Sequence, residues 1–584
     1  MDTTNVSHIS SYLSSVTIAA GLLLAFGYLL VQQACPRPLP GIPYNQAATK
    51  RVFGDIPEID EYARKGGSFR TWFLGQAHKH NSAITQVLLG PFSKAAIIVS
   101  DYREVNDILS HRDAVDFKRG LKVDGFRGIL PHAFPAMETF DPDFRSSRNL
   151  ARDLMTPSFL HAVNAPRIYD VACHLLELWR MKSRLAMGRP FDVMDDISEF
   201  SFDAILSAAM GLGPQGGDIE HKRRELAKNT SSTPSVVNAD VDSPVLFPQA
   251  PRSAKLNGLR VEEASLSKSF TVPWPGLYHR VNNLRPSVRA ARRTLHEYIA
   301  SQIDQTVPGL ADGSKDPQCA LDFVIQRELQ SATKEGRLPA LADPRILEPI
   351  YGYLIAGHDT SSGSVGWLIH RLVTHPVEQD RVREGLRATY PDAWRERRLP
   401  TVAELVKVHS PHLDAFIEET LRCDTPVVNI MVMTRHDTVV LGHQVPADTR
   451  VFLNLAGPSL NRQSVPVAEA DRCDTSKMHK PAVARENWDA AAPEEFHPER
   501  WLKDCPGPVP VFDPAAGPAL AFSAGNRGCW GKRLGYLELR IVLALLVWSL
   551  EFNVSENLAN WETIDLLVTA PKHCIIQVTE ILHY

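Results

Sequence analysis

The sequence predicts a mainly α-helical protein with a small β region, preceded by one N-terminal transmembrane helix. Three observations predict it. Residues 12–31, YLSSVTIAAGLLLAFGYLLV, make about one bilayer span of mostly apolar residues. One helical run extends from about Pro344 to His375. The β-prone runs are short, near VLLG, AAIIVS and VVLGHQVPADTRVFLNL. The 584 residues are 44% apolar and 22% charged, as in ordinary globular chains. A net charge of −4 gives no footprint for nucleic acid. The absence of a fixed-period repeat excludes solenoids and propellers. Eight cysteines stand singly, with no CxxC pair, so the bulk of the chain reads as lying in a reducing compartment.

In order along the chain, residues 1–11 read as a short lumenal N-terminus and 12–31 as the anchor. No Asp, Glu, Lys or Arg occurs between Asp2 and Arg37, whereas Arg37, Lys50, Arg51, Arg64 and Lys65 follow the span. The positive-inside rule then puts the body in the cytosol. A cleaved signal peptide would instead start basic. The alternative is a buried N-terminal helix. Asn5 heads a glycosylation sequon on the lumenal side. Residues 32–54 contain CPRPLPGIPYN, whose four prolines predict a stiff, extended connector. The body, 55–584, is helix-rich. Residues 228–256, 304–318 and 461–486 read as surface loops. Gly442 and His443, between β-prone runs, signal a hairpin.

The long helix has Asp343 as N-cap, Pro344 in its first turn and Pro376 as its stop. At 1.5 Å per residue it spans roughly 45–50 Å, enough to cross a whole domain. A second helix, from about His412 to Leu421, carries EETLR. A third starts near Lys532.

The strongest chemical signal is AFSAGNRGCWGKRLG. Cys529 sits among Gly525, Gly528 and Gly531, just before a helix whose partial positive end favours a thiolate. Arg527 adds a full charge. A soft thiolate on a rigid glycine loop suits iron. A lone Cys among glycines is more often a structural thiol; the constellation changes that. In Ala356-Gly357-His358-Asp359-Thr360, a small pair leaves a gap for a ligand to press on the helix, and a carboxylate and a hydroxyl beside it can relay protons. Glu419 and Arg422, three apart, share a helix face.

Phe522, Gly525, Arg527, Cys529 and Gly531 match FxxGxRxCxG, and the chain thereby resembles the cytochrome P450 family. Ala356–Thr360 resembles the family's oxygen-activation segment. Glu419 and Arg422 resemble its ExxR pair, and Phe496–Trp501 its PERF/PERW segment. The resemblance covers the chain from about residue 36 and is densest over 344–548, with a fungal look. It implies the cytochrome P450 fold, haem b (iron protoporphyrin IX), Cys529 as axial iron ligand, and Phe522, Gly525, Arg527 and Gly531 around it. It implies Asp359 and Thr360 as proton-delivering catalytic residues, and Glu419, Arg422 and Arg500 as a buried structural triad. Arg152 matches the arginine of WxxxR, while Arg148 stands where the family has tryptophan; either guanidinium could bind a haem propionate. A second departure is the run Asn429 to Thr434, which lacks the basic residue often found there.

The resemblance further implies a monooxygenase that inserts one oxygen atom of O2 into a C–H bond of a small lipophilic substrate, in secondary metabolism, with the haem domain on the cytosolic side of the endoplasmic reticulum membrane. No GxGxxG follows a strand, so electrons come from a separate NADPH-cytochrome P450 reductase. Lys532 and Arg533 either help to dock it or merely begin a solvated helix. Val427, Val428, Ile430 and Met431 suggest an apolar pocket. Two rivals stand beside this reading: a haem-thiolate isomerase or dehydratase that needs no external electrons, and a non-catalytic haem-binding module.

Overall fold

The computed structural model describes residues 22–149, 152–228, 235–236, 243–478, 492–503, 505, 510–555, 558–559, 561–565 and 568–581. Three helices organise them. The long helix runs Pro344–Thr374; Asp343 caps it by accepting from the Arg345 N–H. His375 ends it and also precedes Pro376, the first residue of helix Pro376–Thr389, so one residue caps both. From Ile350 onward the long helix is buried over most of its surface, the mark of a central helix rather than an amphipathic surface one. Helix Met194–Met210 packs along it. The apolar C-terminal helix Lys532–Ser549 supports it from another side. Each fully buried Leu, Ile or Phe in this core contributes about 1.5–3 kcal/mol.

The β region is small. One five-stranded sheet orders Ile84–Val87, Ala96–Val99, Arg450–Asn454, Asn429–Thr434 and Phe117–Lys118. Its pairs are antiparallel except Ala96–Val99 with Arg450–Asn454, which is parallel. A second sheet joins Leu550–Asn553 and Ile575–Glu580 to short strands at Phe191–Asp192, Val245–Leu246 and Ser235–Val236. The hairpin Thr438–Val440 with His443–Val445 turns at Leu441 and Gly442, both at positive φ, so His443 already belongs to the strand.

Several expectations change. Residues 304–311 are helical, the end of helix Pro286–Ala311, with Pro308 accommodated near its C-terminus. The 461–478 stretch is pinned down: Arg472 makes two bonds to Asp101, at 2.7 and 2.9 Å, and Arg103 grips Glu469. Ile430 and Met431 occupy successive positions of a strand, so they face opposite sides, and Ile430 joins the sheet's core. The proline connector lies on the body, where the Gln86 amide donates to the carbonyls of Leu39 and Ile42. Most of the expected span 12–31, and Asn5, fall outside the described residues. Residues 22–34 are helical, with Leu22, Leu23, Leu24, Phe26, Tyr28 and Leu29 exposed. Among the described residues no helix is long and apolar enough to cross a membrane.

Candidate active site

The loop before the C-terminal helix is folded back on itself. The Cys529 N–H donates to the Phe522 carbonyl at 2.8 Å, and the Gly528 N–H to Gly525 at 3.0 Å. Gly525 has φ +67°, and a Cβ there would lie 2.0 Å from the Leu109 carbonyl oxygen. The position thus needs glycine both for its backbone and for the closeness of the neighbouring turn. Phe522 packs against Tyr536 with the rings tilted and their centroids 4.9 Å apart, fixing the loop to the helix it precedes. Cys529 keeps solvent access. Protein packed around the rest of it still raises the thiol pKa by desolvation; the Gly531 and Lys532 N–H groups and the charges of Lys532 and Arg148 oppose that rise.

The long helix presents Ala356 as an exposed residue among buried neighbours. Contacts on either side bring this stretch to the Cys529 loop and the helix after it. The Tyr353 ring meets Trp530 edge-on at 5.8 Å, and the Ser361 hydroxyl donates to Glu538 at 2.7 Å. Between them, Thr360 Oγ1 donates to the Ala356 carbonyl at 2.7 Å. The Asp359 side chain is 18% exposed. Burial, and then the neighbouring Glu263, push Asp359 up to about 6. Gly357 does not open onto this cleft. Its missing Cβ would lie 2.5 Å from Ile205 Cδ1, so the glycine serves close packing of helix Met194–Met210, and Ala356 alone provides the opening.

Behind the Cys529 loop, on helix Pro411–Cys423, the Glu419 carboxylate accepts from Arg422 Nε and Nη2, both at 2.8 Å. It also accepts from Trp501 Nε1 at 2.8 Å and the His497 N–H at 2.9 Å, and it lies 3.3 Å from Arg500 Nε. Glu419 and Arg422 have no exposed side-chain surface.

The sequence model described as Cytochrome P450 matches residues 73–464 and 485–578. The chain belongs to the cytochrome P450 family. The P450 is 31% identical to a cytochrome P450 monooxygenase of Pestalotiopsis microspora over 96% of this chain and 97% of that one. It is 30% identical to one of Fusarium sporotrichioides, over 95% and 97%. A solved cytochrome P450 haem domain, 15% identical, superimposes with a TM-score of 0.65 over 94% of this chain and 99% of its own. The P450 is therefore an oxidoreductase, and its cofactor is haem b.

Whether the side chains suit that group can be tested near the loop. Arg527 donates to Thr139 Oγ1 at 2.8 Å and to the carbonyls of Phe134 and Met137. Arg119 is buried, and its Nε and Nη2 have no hydrogen-bond acceptor. Lys122 is pushed down to about 8 by burial and then by Arg119, Arg70 and Arg527, with no acid among the influences on it. Among the described residues, Asp113, 3.4 Å from Arg119, and Glu138 set negative charge against Arg119. Desolvated cations short of acceptors suit a ligand that brings carboxylates, as haem does with its propionates. Arg148 reaches the same loop, with Nη2 3.5 Å from the Gly528 carbonyl. Arg152 does not: its side chain is 77% exposed and lies 3.9 Å from Asp153. Arg435 is spent on the Ala114 carbonyl.

Sequence reasoning missed Arg119, Lys122 and Glu263. The basic run KRGLK was the only trace of the first two. Glu263 lies nearly a hundred residues from Asp359, and nothing local marks it.

Proposed function

We propose that this P450 is a membrane-associated monooxygenase that inserts one oxygen atom of O2 into a C–H bond of a small lipophilic substrate. Its electrons come from NADPH through a separate reductase, and its place is in secondary metabolism, on the cytosolic side of the endoplasmic reticulum. The observation that carries the reading is the juxtaposition of Ala356–Thr360 with the Cys529 loop, tied by Tyr353–Trp530 on one side and Ser361–Glu538 on the other. Likeness to fungal monooxygenases over nearly the whole chain supports the reaction class. The exposed apolar side chains of residues 22–31, which continue the apolar run of 12–21, support an anchor.

In this reading Cys529 would hold the haem iron through its sulfur. The N–H groups of Gly531 and Lys532, the start of the C-terminal helix and the Lys532 and Arg148 charges favour its thiolate. Haem held by a thiolate supplies the oxygen-activating chemistry, as is general for this family. Arg119, Lys122, Arg527 and Arg148 would hold its carboxylates. Ala356 keeps the cleft wall low. Asp359 moves protons from the protein into the cleft beside Thr360. Glu419, Arg422 and Arg500 keep the support of the Cys529 loop rigid.

The test has two parts. The reduced carbonyl complex of the purified protein should show the red-shifted Soret band of a thiolate ligand, and Cys529→Ala should abolish it. NADPH consumption should require added reductase. Turnover of a peroxide substrate without reductase would favour the isomerase instead.

A further inference from the structure

Asp359 has a buried partner outside the cleft. Glu263, on helix Ala254–Ser269, lies with both carboxylate oxygens near His358 Nδ1, at 2.9 and 3.1 Å. Oxygens of Glu263 and Asp359 and a ring nitrogen of His358 all lie within 4.8 Å of one another. The Glu263 and His358 side chains are 4% and 1% exposed. His358 Nε2 faces helix Met194–Met210, 3.0 Å from Ser198 Oγ and 3.2 Å from the Ser198 carbonyl oxygen. Ser198 Oγ in turn accepts from Arg260 Nη2 at 2.8 Å.

Two arrangements fit His358: Nε2–H toward the Ser198 carbonyl with Nδ1 accepting from a protonated Glu263, or Nε2 accepting from the Ser198 hydroxyl with Nδ1–H donating to an ionised Glu263. The second carboxyl beside Glu263 decides between them. An ionised Glu263 beside an ionised Asp359 would set two carboxylates together in a buried site, with only Arg260 and the His358 ring among the influences that oppose them. Burial acts the same way, raising Glu263 well above its ordinary range and lowering His358 to about 4. The other ionisable groups facing the cluster are Asp195, 3.9 Å from Arg260, and Tyr351 on the long helix.

We propose that Glu263 is a protonated carboxyl that stores a second proton behind Asp359 and returns it once Asp359 has given its own to the cleft. The proposal rests on the reading above, in which Asp359 moves protons into the cleft. The balance is simple. The Asp359 O–H bond breaks toward the cleft and leaves a carboxylate. The Glu263 O–H proton moves to Asp359. After turnover, water in the open cleft reprotonates Asp359, which passes that proton back to Glu263. No electrons move. The two protons needed to release one oxygen atom of O2 as water thus pass in turn through Asp359, the second of them from Glu263. Glu263 acts through Asp359 and does not touch the cleft itself; His358, Ser198 and Arg260 orient it.

Glu263→Gln tests the proposal, because the amide still donates to Nδ1 and preserves the tie between helices but cannot pass a proton on. Infrared difference spectra of the resting holoenzyme at neutral pH should lose one protonated-carboxyl stretch in this variant, and Asp359→Asn should shift that same band. With reductase and NADPH, the variant should keep its carbonyl spectrum. It should release a severalfold larger share of consumed oxygen as peroxide and show a larger solvent deuterium isotope effect. An unchanged infrared spectrum, or wild-type peroxide yield and isotope effect in a fully haem-loaded variant, would overturn the store. If the parent protein consumed no NADPH with reductase while the band behaved as described, the monooxygenase reading would fall and the protonated Glu263 would stand.

Discussion

Replacing Glu419 by glutamine isolates the charge at the buried triad while keeping volume and one acceptor oxygen. In the parent, Arg422 is neutralised by two 2.8 Å bonds to Glu419, and its Nη1 is held by the carbonyls of Leu460 and Pro493, each at 2.7 Å. Those carbonyls satisfy N–H groups but supply no countercharge. The variant therefore strands a guanidinium with no exposed surface, beside the second cation of Arg500. Breaking a buried pair in this way costs about 3–5 kcal/mol. The amide also presents N–H to Arg422, Trp501 Nε1 or the His497 N–H, and one such lost bond adds about 1–3 kcal/mol. Partial relaxation offsets some of this, so about 4 kcal/mol is expected, a large share of a typical stability of about 5–15 kcal/mol. Urea unfolding followed by far-UV circular dichroism, with slopes compared to confirm a common denatured state, gives the value. The Glu419→Leu, Arg422→Leu double variant should lose less than either single change, because it leaves one cation fewer without a partner. A loss below about 1 kcal/mol in Glu419→Gln would refute the claim that this carboxylate neutralises a buried charge.

Three further predictions follow from the same geometry. Burial pushes Glu538 up to about 8 from 4.5, so its stabilising proton is fully present below pH 4.5 and lost as pH rises through 8; Glu538→Gln should gain on the parent across that window, most above pH 8, as urea midpoints at both ends would show. Gly525→Ala forces a Cβ to 2.0 Å from a backbone oxygen at φ +67°, and should cost more than about 2 kcal/mol and most of the bound haem, read from the Soret-to-protein absorbance ratio. Arg148→Ala should lower haem retention through gel filtration several-fold, whereas Arg152→Ala should leave it within error, since only Arg148 reaches the loop.

What could be read along the chain was whatever depends on neighbours in sequence. Asp343 followed by Pro344 caps and starts the long helix because an N-cap acts within one turn. The Cys529 loop was visible because its glycines, arginine and thiol lie within ten residues of one another. The hairpin was placed one residue off, because Leu441 takes the positive φ that composition assigns to glycine or asparagine. Arg152 matched a motif letter by letter, yet its side chain points to solvent: a spacing fixes where on a helix a residue lies, not whether anything is there for it to meet. Gly357 was read as space for a ligand and proved to be space for Ile205.

By itself, then, the sequence determined the helical class and singled out the Cys529 loop and the neighbours Asp359 and Thr360, all from residues close together in the chain. Tertiary structure alone decided which cations gather near that loop, which small residue opens onto the cleft and which carboxyl stands behind Asp359. Arg119 and Arg527 are more than 400 residues apart, and Glu263 and His358 are 95 apart. The desolvation that sets their charge states exists only once the helices between them have packed.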